Sequence, residues 1–433
     1  MGRNRAFRIL MYSHDTYGLG HLTRTLRIAR AVRRRWEHVS ILILSGSPIA
    51  PYMPLPENTD LVKLPSVVKA GQDWYKPRDL RVTFRRIKKI RRELIRSAAE
   101  CFRPDVFMVD NVPLGMKAEI LPTLRHLHAR GQRTRIVLNL RDILDDPQVI
   151  RDAWARDGVP ELLETVYDRV FVLGDPRFFD AREAYGLPRD KARQLGYACP
   201  GLDRHPSPEP PVGGPPRVLV TAGGGGDGAE LLLRAIEGLG PLTHTNGRGA
   251  PDLRVEIVTG PLMDPRLRTR IVDRSIPTGI EVFEFVPDLP DRMARSHLVV
   301  TMGGYNTCCE LLSHARRGLI LPRVAPRVEQ FLRAEAFESH DLSRTLPLEA
   351  GPNRIRAAVL EMLDSGPAIH DGELPRRDGL VNLTEELAHL CPELEGCSRP
   401  NPLGDPAPSP GTADRPAISF WPGTRAPLSR PLQ

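Results

Sequence analysis

Long apolar runs are missing from this 433-residue sequence; stretches such as HLVVTM and GLILP fall far short of the roughly eighteen residues that span a bilayer. The opening MGRNRAFRIL lacks the apolar core of a secretory signal, so neither export nor a membrane span is expected. Cysteine is scarce: six residues, two of them adjacent (Cys308, Cys309) and none in a CxxC pair, which fits neither a disulfide framework nor a zinc site. A reducing cytoplasm is the default. No GxxxxGK[ST] stretch occurs, which excludes a P-loop, and the first glycine loop, GLGH, is a poor match to the GxGxxG dinucleotide fingerprint. The aspartates of DILDDP (142–147) read as a turn and helix start, and no bound metal is expected. The basic stretches lack aromatic interleaving and any nucleic-acid motif, so nucleic acid is not an expected partner.

What is present describes a globular chain of two domains, 41% hydrophobic and 26% charged. The net charge of +8 is owed mostly to arginine and concentrates in RIARAVRRR (27–35) and RRIKKIRRELIR (85–96), patches that attract anionic partners. In the second patch Phe84, Ile87, Ile90 or Arg91, and Leu94 follow a helical period, predicting a core-packed stripe beneath a solvated basic face. The same pattern suits docking on an anionic lipid surface.

Strand-like and helical patterns alternate twice along the chain. FRILMYS, VSILILS, VFMVD, RIVLNL and RVFVLG are separated by helices expected over 22–35, 84–102 and 114–130. After the linker CPGLDRHPSPEPPVGGPPR (199–217), with seven prolines, come RVLVTAG, RVEIVTG, EVFEFV, LVVTMGG and GLILP, with helices expected over 229–239, 289–294 and 307–315. This predicts an α/β chain of two Rossmann-like doubly wound parallel-sheet domains, 1–198 and 218–391, facing across a cleft. Residues 392–433 are rich in proline and lack periodicity, predicting a disordered tail; 242–252 reads as an unstructured loop.

In open parallel sheets ligands bind at the carboxyl ends of the strands, so the glycine-bearing loops there are the candidate sites. Gly18 and Gly20 precede His21 at the start of a helix; Gly223 to Gly226 and then Gly303 and Gly304 lead from strands into helices in the second half. Two helix N-termini converging in one domain suit a diphosphate; plain tight turns are the alternative.

GLGHLTR together with GGYNTCCE and PRVAPRVEQ resembles the two-domain GT-B glycosyltransferases, specifically family 28, the group of the peptidoglycan lipid-intermediate N-acetylglucosaminyltransferases, over about residues 7–390. The resemblance implies a donor half in which Gly223 and Gly224 form a donor loop and Phe285 and Val286 lie against the nucleobase. Gly303, Gly304, Asn306 and Thr307 would hold the diphosphate, Glu310 the ribose, and Glu329 with Gln330 the sugar hydroxyls. It implies an acceptor half in which Gly18, Gly20 and Arg24 belong to the glycine loop and His21 is a general base or orients the substrates. Asp110, which ends a strand, would orient His21 or be the base itself. Arg141 either binds an anionic acceptor or pairs with Asp142. No cofactor is implied: the substrate would be a nucleoside diphosphate sugar, UDP by resemblance, whose sugar passes with inversion to an acceptor hydroxyl, lipid-linked in the relatives. That places the chain in the cytoplasm at the inner membrane surface. AGGGGDG and GGYNT depart from the family's usual loops, so the sugar and acceptor are not carried over. A nucleotide-sugar hydrolase or epimerase on the same fold, and a non-catalytic nucleic-acid-binding protein, are the alternatives.

Overall fold

A computed structural model describes residues 6–14, 19–69, 74–129, 134–201, 209–243, 252–286, 289–314, 316–365 and 374–397. Each aliphatic run read as a strand forms one, because a strand covered by helices on both faces needs apolar side chains on both. In the first half these are β1 (Phe7–Ser13), β2 (Val39–Ser45), β3 (Thr59–Lys63), the short pair β4 (Val67–Lys69) and β5 (Tyr75–Pro77), β6 (Val106–Asp110), β7 (Arg135–Arg141), β8 (Arg169–Leu173) and β9 (Ala192–Gln194). The second half supplies β10 (Arg217–Thr221), β11 (Arg254–Val258), β12 (Glu281–Phe283), β13 (Leu298–Thr301), β14 (Gly318–Ile320) and β15 (Ser343–Thr345).

The first sheet runs β3-β2-β1-β6-β7-β8-β9 and the second β12-β11-β10-β13-β14-β15, with parallel pairing throughout both. In each, strand order reverses beside the first strand: between β1 and β6, and between β10 and β13. These reversals open a crevice at the carboxyl ends, where the loops after β1, β6, β10 and β13 meet.

Helices Phe84–Phe102, Ala229–Leu239 and Leu289–Ala294 lie where expected, while the others differ at their ends. The first begins at Gly20, and the one expected to start at Leu114 is confined to Leu121–Ala129. The chain before it turns through left-handed conformations at Gly115, Lys117 and Ala118, which no α-helix accommodates. Helix Phe84–Phe102 also presents a different face. Ile87, Arg91, Ile95 and Ala99 form its buried stripe, leaving Ile90 and Leu94 37% and 38% exposed among Arg85, Arg86 and Lys89. Burial of Arg91 is possible because Glu119 takes its Nε and Nη2 at 2.8 and 2.6 Å, while the Tyr12 hydroxyl donates to the same carboxylate at 2.7 Å.

After the second sheet the chain returns to the first. Helix Gly379–Leu390 and the 3-10 turn Pro392–Cys397 bury Leu383, Leu387 and Leu394 in one cluster with Phe7, Val32, Trp36 and Val39. Asn382 donates to the Leu195 carbonyl at 2.7 Å, and Ala198 bridges to Asp378. Residues 392–397, read as part of the tail, are thus packed; 398–433, 202–208 of the linker and 244–251 of the predicted loop lie outside the described residues.

Candidate active site at the domain cleft

His21 and Arg24 sit in the first turns of helix Gly20–Arg35, three residues apart and therefore on one face. That face meets the end of β6, where Asp110 is buried. His21 Nδ1 lies 2.6 Å from Asp110 Oδ2, and Arg24 donates to Oδ1 from Nε at 2.9 Å and Nη2 at 2.5 Å. Burial would raise this carboxyl's pKa, but the Arg24 charge and the His21 contact outweigh it and hold the group well below the usual carboxylate range. An ionised Asp110 only accepts hydrogen bonds, so the proton between it and His21 rests on Nδ1, and in the neutral form of the imidazole the lone pair is then on Nε2. Of the two roles open to Asp110, orienting the imidazole fits this geometry; a carboxylate this acidic is a poor base at neutral pH. Gly18 lies outside the described residues.

In the second domain Gly303 turns with φ +75°, where a Cβ would come within 2.8 Å of Ile320, and Gly304 starts helix Tyr305–Ser313. The N-cap residues of this helix and of helix Ala229–Leu239 are glycines without a capping side chain, in contrast to helices capped by Asp146, Asp180 and Asp264, so among the described residues their first N–H groups lack a side-chain cap. The loop of Gly223 and Gly224 approaches the first of these helices: a Cβ on Gly223 would lie 3.9 Å from Thr307 Oγ1. Gly225 and Gly260 interlock beneath it, with a Cβ on Gly225 falling 2.3 Å from the Thr259 carbonyl oxygen. Phe285 is 49% exposed, while Val286 packs into a small cluster with Leu219, Met293 and Leu311.

The halves meet through specific polar contacts. Asn306 Nδ2 donates to the Gly20 carbonyl at 2.9 Å, which sets the uncapped Tyr305 helix directly beside the residue preceding His21. Arg27, read from the sequence as part of a basic patch, is buried against Glu310 and also reaches Asn306. Burial raises the Glu310 carboxyl's pKa even with Arg27 beside it.

Asp142, expected on the acceptor side, is instead taken by Arg333 at 2.7 Å on both oxygens, a pair buried between the domains. Arg141 does not pair with Asp142, because successive residues at a strand end leave on opposite sides. Its carboxylate neighbour is Glu329, 3.8 Å away, and burial together with the charges of Arg333, Arg24 and Arg327 brings the Arg141 pKa down to about 10. Glu329 is held by Arg323 at 2.8 Å, and Gln330 Oε1 accepts from the Arg323 backbone N–H at 3.2 Å. Burial would raise the Glu329 pKa, but the surrounding arginines 141, 323, 333 and 327 lower it.

Sequence reasoning missed the interdomain roles of Arg27 and Arg333. A signal existed for Arg333, an arginine inside the apolar stripe of FLRAEAF; Arg27 needed the fold. Among the described residues no group of three or more His, Cys, Asp or Glu is placed to hold a metal ion.

Two doubly wound domains meeting at the carboxyl ends of their strands define the GT-B architecture, and solved structures agree at low identity. The kitacinnamycin glycotransferase aligns with 91% of this chain and 98% of its own at TM-score 0.57 and 20% identity. A ugt transferase from Siraitia grosvenorii, in complex with UDP, aligns at 0.55 and 14% (90% and 99% covered), and MurG of Acinetobacter baumannii at 0.52 and 12% (89% and 99%). Residues 217–371 match the glycosyltransferase family 28 C-terminal domain, so that the chain is family-28-like through its second domain. Its curated relatives include two UDP-N-acetylglucosamine–N-acetylmuramyl-(pentapeptide) pyrophosphoryl-undecaprenol N-acetylglucosamine transferases. That of Rhodopseudomonas palustris (strain BisA53) is 31% identical over 230 residues, 51% of this chain and 57% of the relative. That of Bradyrhizobium diazoefficiens is 33% identical over 228 residues, 51% and 58%. The chain thus spans little more than half the length of either.

Proposed function

We propose that this chain is a glycosyltransferase that passes a sugar from a nucleoside diphosphate sugar, UDP-linked as in the relatives' names, to an acceptor hydroxyl with inversion. The observation that carries the reading is the contact between Asn306 and the Gly20 carbonyl: a polarised imidazole from one domain stands next to an uncapped helix N-terminus of the other. His21 Nε2 takes the proton of the attacking hydroxyl as its oxygen bonds to the anomeric carbon. The bond from that carbon to the diphosphate breaks on the opposite face, and the nucleoside diphosphate leaves with the electron pair. Developing charge on the leaving group falls to the N–H groups of the Tyr305 helix and the Gly223–Gly224 loop. Glu310 accepts the ribose hydroxyls, exposed Phe285 offers a stacking surface to the base, and Glu329 with Gln330 faces the sugar. Arg141 serves the acceptor side. No cofactor enters this scheme.

The relatives' names describe a lipid-linked acceptor, and the exposed face of helix Phe84–Phe102 suits one. Ile90 and Leu94 emerge among Arg85, Arg86 and Lys89, with exposed Trp74, Leu80 and Val82 on the preceding segment. No helix among the described residues is long and apolar enough to cross a membrane. Peripheral attachment to an anionic, cytoplasmic leaflet is therefore part of the proposal.

Thermal shift and calorimetry with nucleoside diphosphates test the donor site. UDP should raise the melting temperature, by the equivalent of about 2.7 kcal/mol at a hundred times its Kd. Glu310→Gln should weaken that binding, and His21→Ala should depress turnover with little change in UDP affinity. If no nucleoside diphosphate shifts the melting temperature, the proposal fails.

A further inference from the structure

The carboxyl ends of β1, β6 and β7 carry more polar chemistry than the transfer scheme uses. Asp110 pairs in register with Asn139, and continuing the Tyr12–Val109 register sets Ser13 beside Asp110. His14 and Asn111 follow directly on β1 and β6. All five residues are buried, at 7% exposure or less. Asp110 is fully engaged, but among the described residues Ser13 Oγ, His14 Nδ1, Asn111 Oδ1 and Asn139 Oδ1 have no hydrogen-bond partner.

Two further features single out His14 and Asn111. The His14 ring stands against that of His21, with centroids 5.4 Å apart and planes at 75°, so the two imidazoles are direct neighbours. Asn111, immediately after Asp110, holds a left-handed backbone at φ +62°, a conformation that side-chain-bearing residues adopt at a cost and that clusters at functional sites. Unsatisfied buried polar atoms are rare in folded proteins, and several gathered at one switch point call for a ligand that completes them.

Their chemistry selects that ligand. The Asn111 and Asn139 oxygens can only accept. Burial, with His21, Arg327 and Arg91 nearby and despite Asp110, keeps the His14 imidazole neutral, so it too can accept. Phosphate or carboxylate oxygens have no proton to offer such atoms at neutral pH; hydroxyl groups do.

We propose that His14 and Asn111 determine acceptor specificity by accepting hydrogen bonds from a hydroxyl adjacent to the attacking one, so that the acceptor's reacting end is a neutral vicinal diol of the kind a sugar ring presents. This rests on the glycosyl-transfer reading above. Any anionic group of the acceptor then lies away from these two side chains.

The test uses the full chain saturated with UDP and titrated with methyl glycopyranosides and, in parallel, with phenyl phosphate, followed by ligand-observed NMR. Asn111→Gly suits the left-handed backbone and removes only the amide; His14→Phe replaces ring by ring. At least one glycoside should bind the wild type and weaken about tenfold or more in each variant, with UDP affinity unchanged. Glycosides that bind the variants as well as the wild type, or a wild type that holds phenyl phosphate but no glycoside, would overturn the proposal. If His14→Phe fails to fold, Asn111→Gly decides alone. Failure of the wild type to bind UDP is a separate result and strikes the donor reading instead.

Discussion

At the scale of single residues, the tautomer of His21 is set by what faces its Nδ1. Asp110→Asn would keep an oxygen for Arg24 but present an amide N–H to the imidazole, moving its proton to Nε2 and abolishing the free lone pair. Turnover should fall by about 10²–10⁴ while UDP affinity holds, as steady-state kinetics with parallel calorimetry would show. His14 yields a pH prediction. Its pKa is lowered in the folded state, chiefly by burial, so below about pH 6.5 the unfolded chain binds the extra proton and folding stability declines as pH falls. The slope due to this one group is at most about 1.4 kcal/mol per pH unit, and His14→Phe should remove that share in urea titrations between pH 7 and 5. The same variant should be no less stable at pH 7, because a buried ring nitrogen without a partner among the described residues, which costs about 1–3 kcal/mol, is gone.

At the scale of elements, the sequence's periodicity placed most strands and several helices, because covered strands and amphipathic helices write their burial into residue order. It misjudged the buried face of helix Phe84–Phe102, leaving Ile90 and Arg91 as alternatives. Arg91 goes inward because Glu119 and Tyr12 await it, and neither partner is near it in sequence. The glycine loops of the second domain were legible as glycine runs after strands, whereas the interlock of Gly225 with Gly260 was not, since it joins loops 35 residues apart. The exposed face of that helix carries its own prediction. Changing Arg85, Arg86 and Lys89 together to glutamate should strongly reduce sedimentation with vesicles rich in anionic lipid, each lost charge weakening attachment by about 1 kcal/mol. Melting temperature should hold within a degree or two, as all three side chains are exposed. Equal sedimentation of wild type and variant would refute the docking role.

For the whole molecule, the decisive contacts join halves that the sequence reading kept apart. Arg333 of the second domain is sealed against Asp142 of the first, and one apolar cluster runs from Phe7 through Tyr305 and Phe337 to Leu394. Asp142→Ala would strand a buried guanidinium and should cost about 3–5 kcal/mol. Leu387→Ala, in the returning helix, should cost about 2–5 kcal/mol. Calorimetry should show each loss as a shift of a single shared transition; two separate transitions, with only one displaced, would show that the domains unfold independently. Such pairs escape sequence reading because nothing in the local pattern around Asp142 or Leu387 names a partner so distant along the chain.

The returning helix also bears on how the molecule is made. A ribosome delivers residues 7–194 early, enough to complete the first sheet, yet the apolar face around Val32 and Trp36 has no cover until Leu383, Leu387 and Leu394 emerge. At about 5–20 residues per second, that face stays open for some ten to forty seconds of synthesis. The first domain is thus the first begun and the last finished, and a nascent chain stalled inside the second would expose it to aggregation and to chaperones.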